Sequence, residues 1–107
     1  MQEVLKCIDM IYKIYKIFGF KNIIVHLSTK PKNSMGNLSL WIAAESFLKS
    51  ALIEKKIKFS TNEGEGAFYG PKIEFTLLDS LGRQWQCGTI QLDFLLAQNM
   101  QASYIDN

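Results

Sequence analysis

The stretch from Gln84 to Phe94 (QWQCGTIQLDF) constrains the fold most, because its alternating pattern changes phase at Gly88. Side chains of a β-strand alternate between the two faces of a sheet, so Gln86 would point away from Thr89 and Gln91 in a regular strand. One extra residue, a β-bulge, would bring all three to one face, and glycine often marks bulges. We therefore predict a bulge at Gly88 and a polar sheet face that displays Gln86, Thr89 and Gln91 to a ligand.

The alternative is a polar face that meets only solvent. Antiparallel sheets commonly have one solvated face, so the pattern alone favours this alternative. Glutamine amides do not ionise, so in either interpretation these residues can position a ligand but cannot act as acids or bases.

A second candidate cluster lies just before the preceding strand, in the run AFYGPK. Gly70-Pro71 predicts a turn, which would hold Tyr69 and Lys72 near the start of that strand. A phenolic hydroxyl and a flexible cation suit an anionic ligand group. The alternative is that Tyr69 only covers the core and Lys72 is a surface charge.

The remaining pattern predicts an α+β fold, with helices on one face of a mostly antiparallel sheet. Apolar residues at three- and four-residue steps predict the first helix, and Gly19 follows where a left-handed residue would end it. Asn37 is placed to cap the second helix. The predicted elements are a helix over 3–18, a strand over 22–28, a loop over 29–37, a helix over 38–56, short strands over 57–60 and 73–79, a turn over 80–83 and the strand that begins at 84. No linker or repeat divides the chain, so we predict one domain over 1–107.

Composition narrows the function classes further. The 107 residues are 48% hydrophobic and 21% charged, which excludes disordered and low-complexity classes, and no apolar run approaches the length of a bilayer span. Ten lysines and four acids up to Asn62 give +6, and two bases and six acids beyond it give −4. Solvated helix faces explain the lysines most simply, and weak attraction to phosphate is the alternative.

Two distant cysteines, Cys7 and Cys87, argue against a disulfide framework and favour a reducing cytoplasm. The start Met1-Gln2-Glu3 has no basic region, so we expect no secretory signal. With His26 as the single histidine, we expect no complete metal site in the chain.

The runs EGAFYGPKIEF and WQCGTIQLDF, together with FGF and LSTKP upstream, resemble a segment of the catalytic domain of threonyl-tRNA synthetases. These are class II aminoacyl-tRNA synthetases, so the resemblance implies a partial catalytic domain on an antiparallel sheet flanked by helices. It implies an enzyme that joins threonine to ATP with Mg²⁺ and transfers the threonyl group to tRNA(Thr). It further implies a cytoplasmic homodimer that holds Zn²⁺.

By this resemblance, a set of residues here would bind threonine or its adenylate. Tyr69 and Lys72 would lie by the amino-acid pocket, and Gln91 would lie near the amino acid and the tRNA end. The adenylate site would be lined by Gln86, Cys87 and Thr89. No residue is identified as catalytic.

Several departures from the family pattern matter. The ATP-contacting arginines belong to motifs that this sequence does not contain, and the Zn²⁺ ligands, one cysteine and two histidines, are expected outside it. Ile42 stands where the family has an acid, and 95–101 lacks the expected proline and bases. We therefore expect the chain alone to be inactive. A non-catalytic remnant or paralogue and a small RNA-binding module remain alternatives, although no aromatic and basic residues interleave for base stacking.

Overall fold

The computed structural model describes residues 1–106, which form a four-stranded sheet with two long helices. In chain order the elements are α1 (Gln2–Ile17), β1 (Ile23–Ser28), α2 (Leu38–Glu54), β2 (Ser60–Asn62), β3 (Lys72–Leu78), β4 (Gln84–Gln91) and the short α3 (Leu96–Asn99). The strand order is β2-β1-β3-β4. Only β1 and β2 are parallel, so the predicted α+β fold with a mostly antiparallel sheet is confirmed.

The ends of both helices follow from the local sequence. Gly19 has φ +79°, a left-handed conformation that glycine adopts without steric cost, and α1 ends just before it. Asn37 caps α2, since its Oδ1 accepts from the backbone N–H of Leu40 at 2.9 Å. The helix ends at Glu54, two residues earlier than predicted.

The strand predicted over 57–60 is misplaced: only Ser60 belongs to a strand, and residues 57–59 connect the end of α2 to it. Lys56 has φ 55°, and the N–H of Ile57 donates to the carbonyl of Leu52 at 3.0 Å, which closes the last turn of α2. Ile57 and Phe59 pack against the core instead of pairing. The strand itself, β2, lies later, and its first register pair joins Ser60 to His26.

One face of the sheet is apolar and is covered by α1 and α2. Ile73, Phe75 and Leu77 alternate along the central strand β3 and are almost fully buried. They form one cluster with the inward faces of β1, α1 and α2, including Val25, Leu27, Ile8, Leu48 and Leu52. Each such side chain contributes about 1.5–3 kcal/mol when fully buried. No helix within residues 1–106 has the length and apolarity needed to cross a bilayer.

The β3–β4 hairpin turns at 80–83, as predicted. The carboxylate of Asp79 organises it: Oδ1 accepts from the N–H groups of Leu81 and Arg83, and Oδ2 binds Arg83 Nε at 2.6 Å and Trp85 Nε1 at 3.1 Å. The hydrogen bond from Trp85, followed by those from Arg83 and Leu81, lowers the pKa of Asp79 despite some desolvation.

The predicted bulge is present on β4. Phe75 pairs with Gly88 and Thr76 pairs with Gln86, so Cys87 between them has no partner on β3. Gly88 is needed there for close approach, because a Cβ at this position would overlap the hydroxyl of Tyr15 on α1. Tyr15 itself is 8% exposed.

Replacing Gly88 with alanine should therefore strain the contact between α1 and β4. We expect Gly88→Ala to lower the free energy of unfolding by about 1–3 kcal/mol, as overpacking does. Tyr15→Phe removes the overlapping hydroxyl, so the loss should shrink in that background. Urea unfolding of the four proteins of this double-mutant cycle measures it. An equal loss in both backgrounds would contradict the assigned cause.

Candidate functional site

The second face of the sheet is polar, and its members come from adjacent strands. Thr76 pairs with Gln86, Glu74 with Thr89, and Lys72 with Gln91. Because of the bulge, all six side chains belong to one face of the sheet. The predicted shared face of Gln86, Thr89 and Gln91 is thus confirmed, and we call this surface the polar face.

Strands β1 and β2 extend the polar face beyond β3. His26 is paired with Glu74 and Ser60, and Ser28 is paired with Lys72 and Asn62. His26 Nδ1 lies 2.7 Å from the Ser60 hydroxyl.

Glu74 lies at the centre of the polar face and is only 9% exposed. Its Oε2 accepts from the hydroxyl of Ser28 on β1, and its Oε1 accepts from Gln86 Nε2 on β4 at 2.7 Å. Oε1 also lies 2.9 Å from Lys72 Nζ. One carboxylate therefore ties together three neighbouring strands.

The environment of Glu74 keeps it ionised. Burial is the largest influence and raises its pKa, but the hydrogen bonds from Ser28, Lys72 and Gln86 and the charge of Lys72 together outweigh burial. The net effect lowers the pKa of Glu74 below its ordinary value of 4.5.

Tyr69 and Lys72 reach the same face, as the second predicted cluster requires. The Tyr69 hydroxyl donates to Gln91 Oε1 at 3.2 Å. Its ring packs edge-on against Phe68, with centroids 4.8 Å apart, and the Phe68 carbonyl accepts from the N–H of Met35 at 2.7 Å. The turn before β3 is thus held to β4 through Tyr69 and to the loop before α2 through Phe68.

An open cavity of about 310 Å³ lies on the polar face beside Glu74. It is lined by His26, Asn62, Glu65, Lys72, Glu74, Thr76 and Gln86. Its size suits a small polar ligand or part of a larger one, and its walls offer amide, hydroxyl, cationic and carboxylate groups.

Cys87 is the candidate residue that the structure does not bring to this cluster. It is the unpaired residue of the bulge, and it is exposed. Cys87 shares the parity of Trp85, which pairs with the core residue Leu77. Alternation along β4 therefore puts Cys87 on the helix side, and the bulge changes the face only of the residues that follow.

The chemistry of this chain does not fit a complete zinc site. His26 lies beside a serine hydroxyl, and both cysteines are exposed and free. Within residues 1–106, no three His, Cys, Asp or Glu residues are grouped so that they could hold a metal ion.

Glu74 and Ser28 are the site residues that sequence reasoning missed. The signal for Glu74 was its parity with Lys72 and Thr76 within KIEFTLL, an acid in a strand whose other face is apolar. Ser28 gave no local signal, because its role depends on the register between β1 and β3.

Removing the charge of Glu74 should weaken the fold and change its acid sensitivity. The folded pKa is lowered, so the stabilisation from Glu74 is present above about pH 4.5 and is lost as pH falls through the folded value. We expect Glu74→Gln to cost about 1–3 kcal/mol at pH 7 and to flatten the fall in unfolding free energy below pH 4.5. Urea unfolding between pH 3 and 7 measures both. The exposed Glu63 supplies the control, Glu63→Gln, which should keep the wild-type slope; an unchanged slope in Glu74→Gln would contradict the expectation.

Comparison with known proteins places this geometry in a family. The tRNA synthetase class II core domain (G, H, P, S and T) matches residues 1–107. The chain is 62% identical over 105 residues to the threonine–tRNA ligase of Buchnera aphidicola subsp. Baizongia pistaciae (strain Bp), covering 98% of this chain and 16% of that protein. It is 58% identical over 107 residues to the threonine–tRNA ligase of Wigglesworthia glossinidia brevipalpis, covering 100% of this chain and 17% of that protein.

A solved structure has the same fold. The RNA-binding domain of threonyl-tRNA synthetase from Cryptosporidium parvum Iowa II superposes with a TM-score of 0.85 at 47% identity, over 94% of this chain and 25% of that one. The chain thus spans about a sixth of the length of the curated relatives. With the family model matched over residues 1–107, the chain belongs to the tRNA synthetase class II core domain family.

Proposed function

We propose that this chain supplies part of the surface on which a threonyl-tRNA synthetase binds threonine and its adenylate. The enzyme joins threonine to ATP with release of pyrophosphate and then transfers the threonyl group to tRNA(Thr). The observation that carries the proposal is the bulge at Cys87-Gly88, which puts Gln86, Thr89 and Gln91 on one face. Lys72 pairs with Gln91 on that face, and Tyr69 donates to the Gln91 side chain.

Each of these side chains has a defined capacity. Lys72 offers N–H donors to a polar ligand group while its charge is offset by Glu74, and the Tyr69–Gln91 pair offers hydrogen bonds beside it. Gln86 and Thr89 offer neutral polar groups further along β4. Cys87 is left out of the proposed set because it shares the parity of Trp85, on the helix side of the strand.

Charge stabilisation of the reacting phosphates is what this surface lacks. Lys72 is already paired with Glu74, and Arg83, the one arginine of the sequence, is bound to Asp79 at the hairpin turn. Positioning and charge stabilisation supply most of the acceleration in such chemistry. The proposal therefore assigns binding and orientation to this chain, with ATP and Mg²⁺ as co-substrate, and assigns the phosphate-binding cations and the Zn²⁺ ligands to other segments of the enzyme.

The proposed function also implies two partners, tRNA and a second subunit. The Cryptosporidium neighbour is described as an RNA-binding domain, which supports tRNA as the partner of this fold. We further propose a homodimeric enzyme in the cytoplasm.

The isolated chain should not activate threonine. We expect no threonine-dependent ATP–pyrophosphate exchange above background from the purified 107-residue chain, because it lacks the cations that act on the phosphates. The Buchnera threonine–tRNA ligase, assayed in parallel, supplies the positive control. Robust exchange by the chain alone would overturn this expectation.

A chimaera separates a working segment from a non-catalytic remnant. In the Buchnera enzyme, the matching 105-residue segment would be replaced by this chain, which is 62% identical to it. We expect a soluble chimaera with threonine-dependent exchange within about tenfold of the parent, since the residues proposed to bind ligand are all present.

The remnant alternative predicts the opposite outcome. It rests on Ile42, which is 55% exposed on α2, and on the altered stretch after Phe94, where α3 forms. A folded chimaera without exchange would support the remnant and overturn the proposed function. An acid restored at this position, as Ile42→Asp or Ile42→Glu in the chimaera, then tests whether that departure is responsible.

A further inference from the structure

The carboxylate of Glu74 can only accept hydrogen bonds while it is ionised. A glutamine amide facing it must therefore present its NH₂ group, and the structure shows Gln86 Nε2 donating to Glu74 Oε1 at 2.7 Å. The carbonyl oxygen of Gln86 is then directed away from the carboxylate. Within residues 1–106, this donation is the hydrogen bond that the Gln86 side chain makes, and no group donates to its carbonyl oxygen.

We propose that Glu74 is a positioning residue that fixes the orientation of the Gln86 amide, so that the polar face presents a hydrogen-bond acceptor there and selects a ligand group that donates, such as an amino or hydroxyl group. The inference rests on the proposed function, because it concerns the same ligand surface. Glu74 touches no ligand in this account and acts through Gln86.

The second glutamine has the opposite polarity. The Tyr69 hydroxyl donates to Gln91 Oε1, which leaves the NH₂ group of Gln91 as a donor toward the ligand. Gln86 and Gln91 are paired with Thr76 and Lys72, four residues apart on β3, so they lie about 13 Å apart along the sheet. That distance exceeds the size of one amino acid, so the two amides meet different ends of an extended ligand.

Ser28 and Lys72 keep Glu74 itself in place. The Ser28 hydroxyl on β1 donates to Oε2. Lys72, which lies on β3 like Glu74 itself, places its Nζ 2.9 Å from Oε1. With each oxygen engaged, the carboxylate cannot rotate without breaking a charge-assisted hydrogen bond. The orientation of Gln86 is therefore transmitted from β1 through Glu74 to β4.

The orientation itself is tested by NMR on the ¹⁵N-labelled 107-residue chain. The side-chain amide of Gln86 is assigned by its loss in Gln86→Ala. We expect its protons to exchange more slowly than those of the exposed Gln84, and we expect this protection to disappear in Glu74→Gln. Amide signals that are unchanged by Glu74→Gln would overturn the proposal whether or not any chimaera is active.

The consequence for binding is tested in the chimaera, with KM for threonine, KM for ATP, kcat and the melting temperature measured for each variant. We expect Glu74→Gln to raise the KM of one substrate by about tenfold, as the loss of one oriented hydrogen bond does, with a smaller change in kcat. Glu54→Gln, at the exposed end of α2, is the matched control and should leave both constants unchanged.

The swapped pair distinguishes positioning from stability. Gln86→Glu alone places two carboxylates together and should also raise KM. In the double variant Glu74→Gln/Gln86→Glu, the new amide at position 74 donates to the new carboxylate at position 86, whose other oxygen again faces the ligand as an acceptor. We expect KM to return to within about threefold of the chimaera, even where the melting temperature stays low.

A double variant in which the two defects simply add would overturn the positioning role, as would an unchanged KM for both substrates in Glu74→Gln. An inactive parent chimaera would overturn the proposed function instead, and the NMR experiment would still decide the orientation of Gln86.

Discussion

The close contact between α1 and β4 at Gly88 is the constraint on which the two-faced sheet depends. Tyr15 lies against the strand where only a residue without a Cβ fits, and the extra residue of the bulge is taken up at the same point. Without that extra residue, the side chains on one side of Gly88 would exchange faces, and Ile90 would leave the core side when Thr89 and Gln91 left the polar side. One local irregularity thus keeps both the packing of the helices and the composition of the polar face.

The two faces are held by different physical effects. Burial of apolar side chains fixes the helices on one side, and this effect has no directional preference beyond shape. The polar face is fixed by directed hydrogen bonds around Glu74, which cross from β1 to β4. A buried carboxylate is costly unless it is fully paired, and among the described residues no buried side-chain polar atom is left without a partner. The same network that satisfies Glu74 also borders the open cavity of the polar face.

Much of this arrangement follows from sequence periodicity, and what does not follow depends on tertiary contacts. The helix end at Gly19, the cap at Asn37 and the bulge beside Gly88 each have a local physical cause that the sequence displays. The short strand could not be placed, because the apolar character of Ile57 and Phe59 is equally suited to a strand or to packing beneath a helix end. Periodicity also says nothing about which strands are neighbours.

The neighbour order β2-β1-β3-β4 is what gives Glu74 its three partners. Ser28 and Glu74 are 46 residues apart, and their contact depends on the register of β1 against β3. Sequence reasoning reached Gln86, Tyr69 and Lys72 through local pattern or resemblance, but it could not show that Glu74 joins two of them. The resemblance also grouped Cys87 with its neighbours, whereas alternation along β4 puts it on the face opposite Gln86.

The charges on the polar face nearly cancel, which limits the kind of binding that this surface can support. Lys72 is offset by Glu74 at 2.9 Å, so the pair adds little net charge to the ligand surface while fixing the direction of nearby hydrogen bonds. A triphosphate needs several cations close to its developing charge, and such cations attract at longer range than neutral amides do. A surface of paired charges and oriented amides is better suited to telling ligands apart than to stabilising phosphate charge. The lysines of α1 and α2 do not change this balance, since those helices cover the opposite face of the sheet.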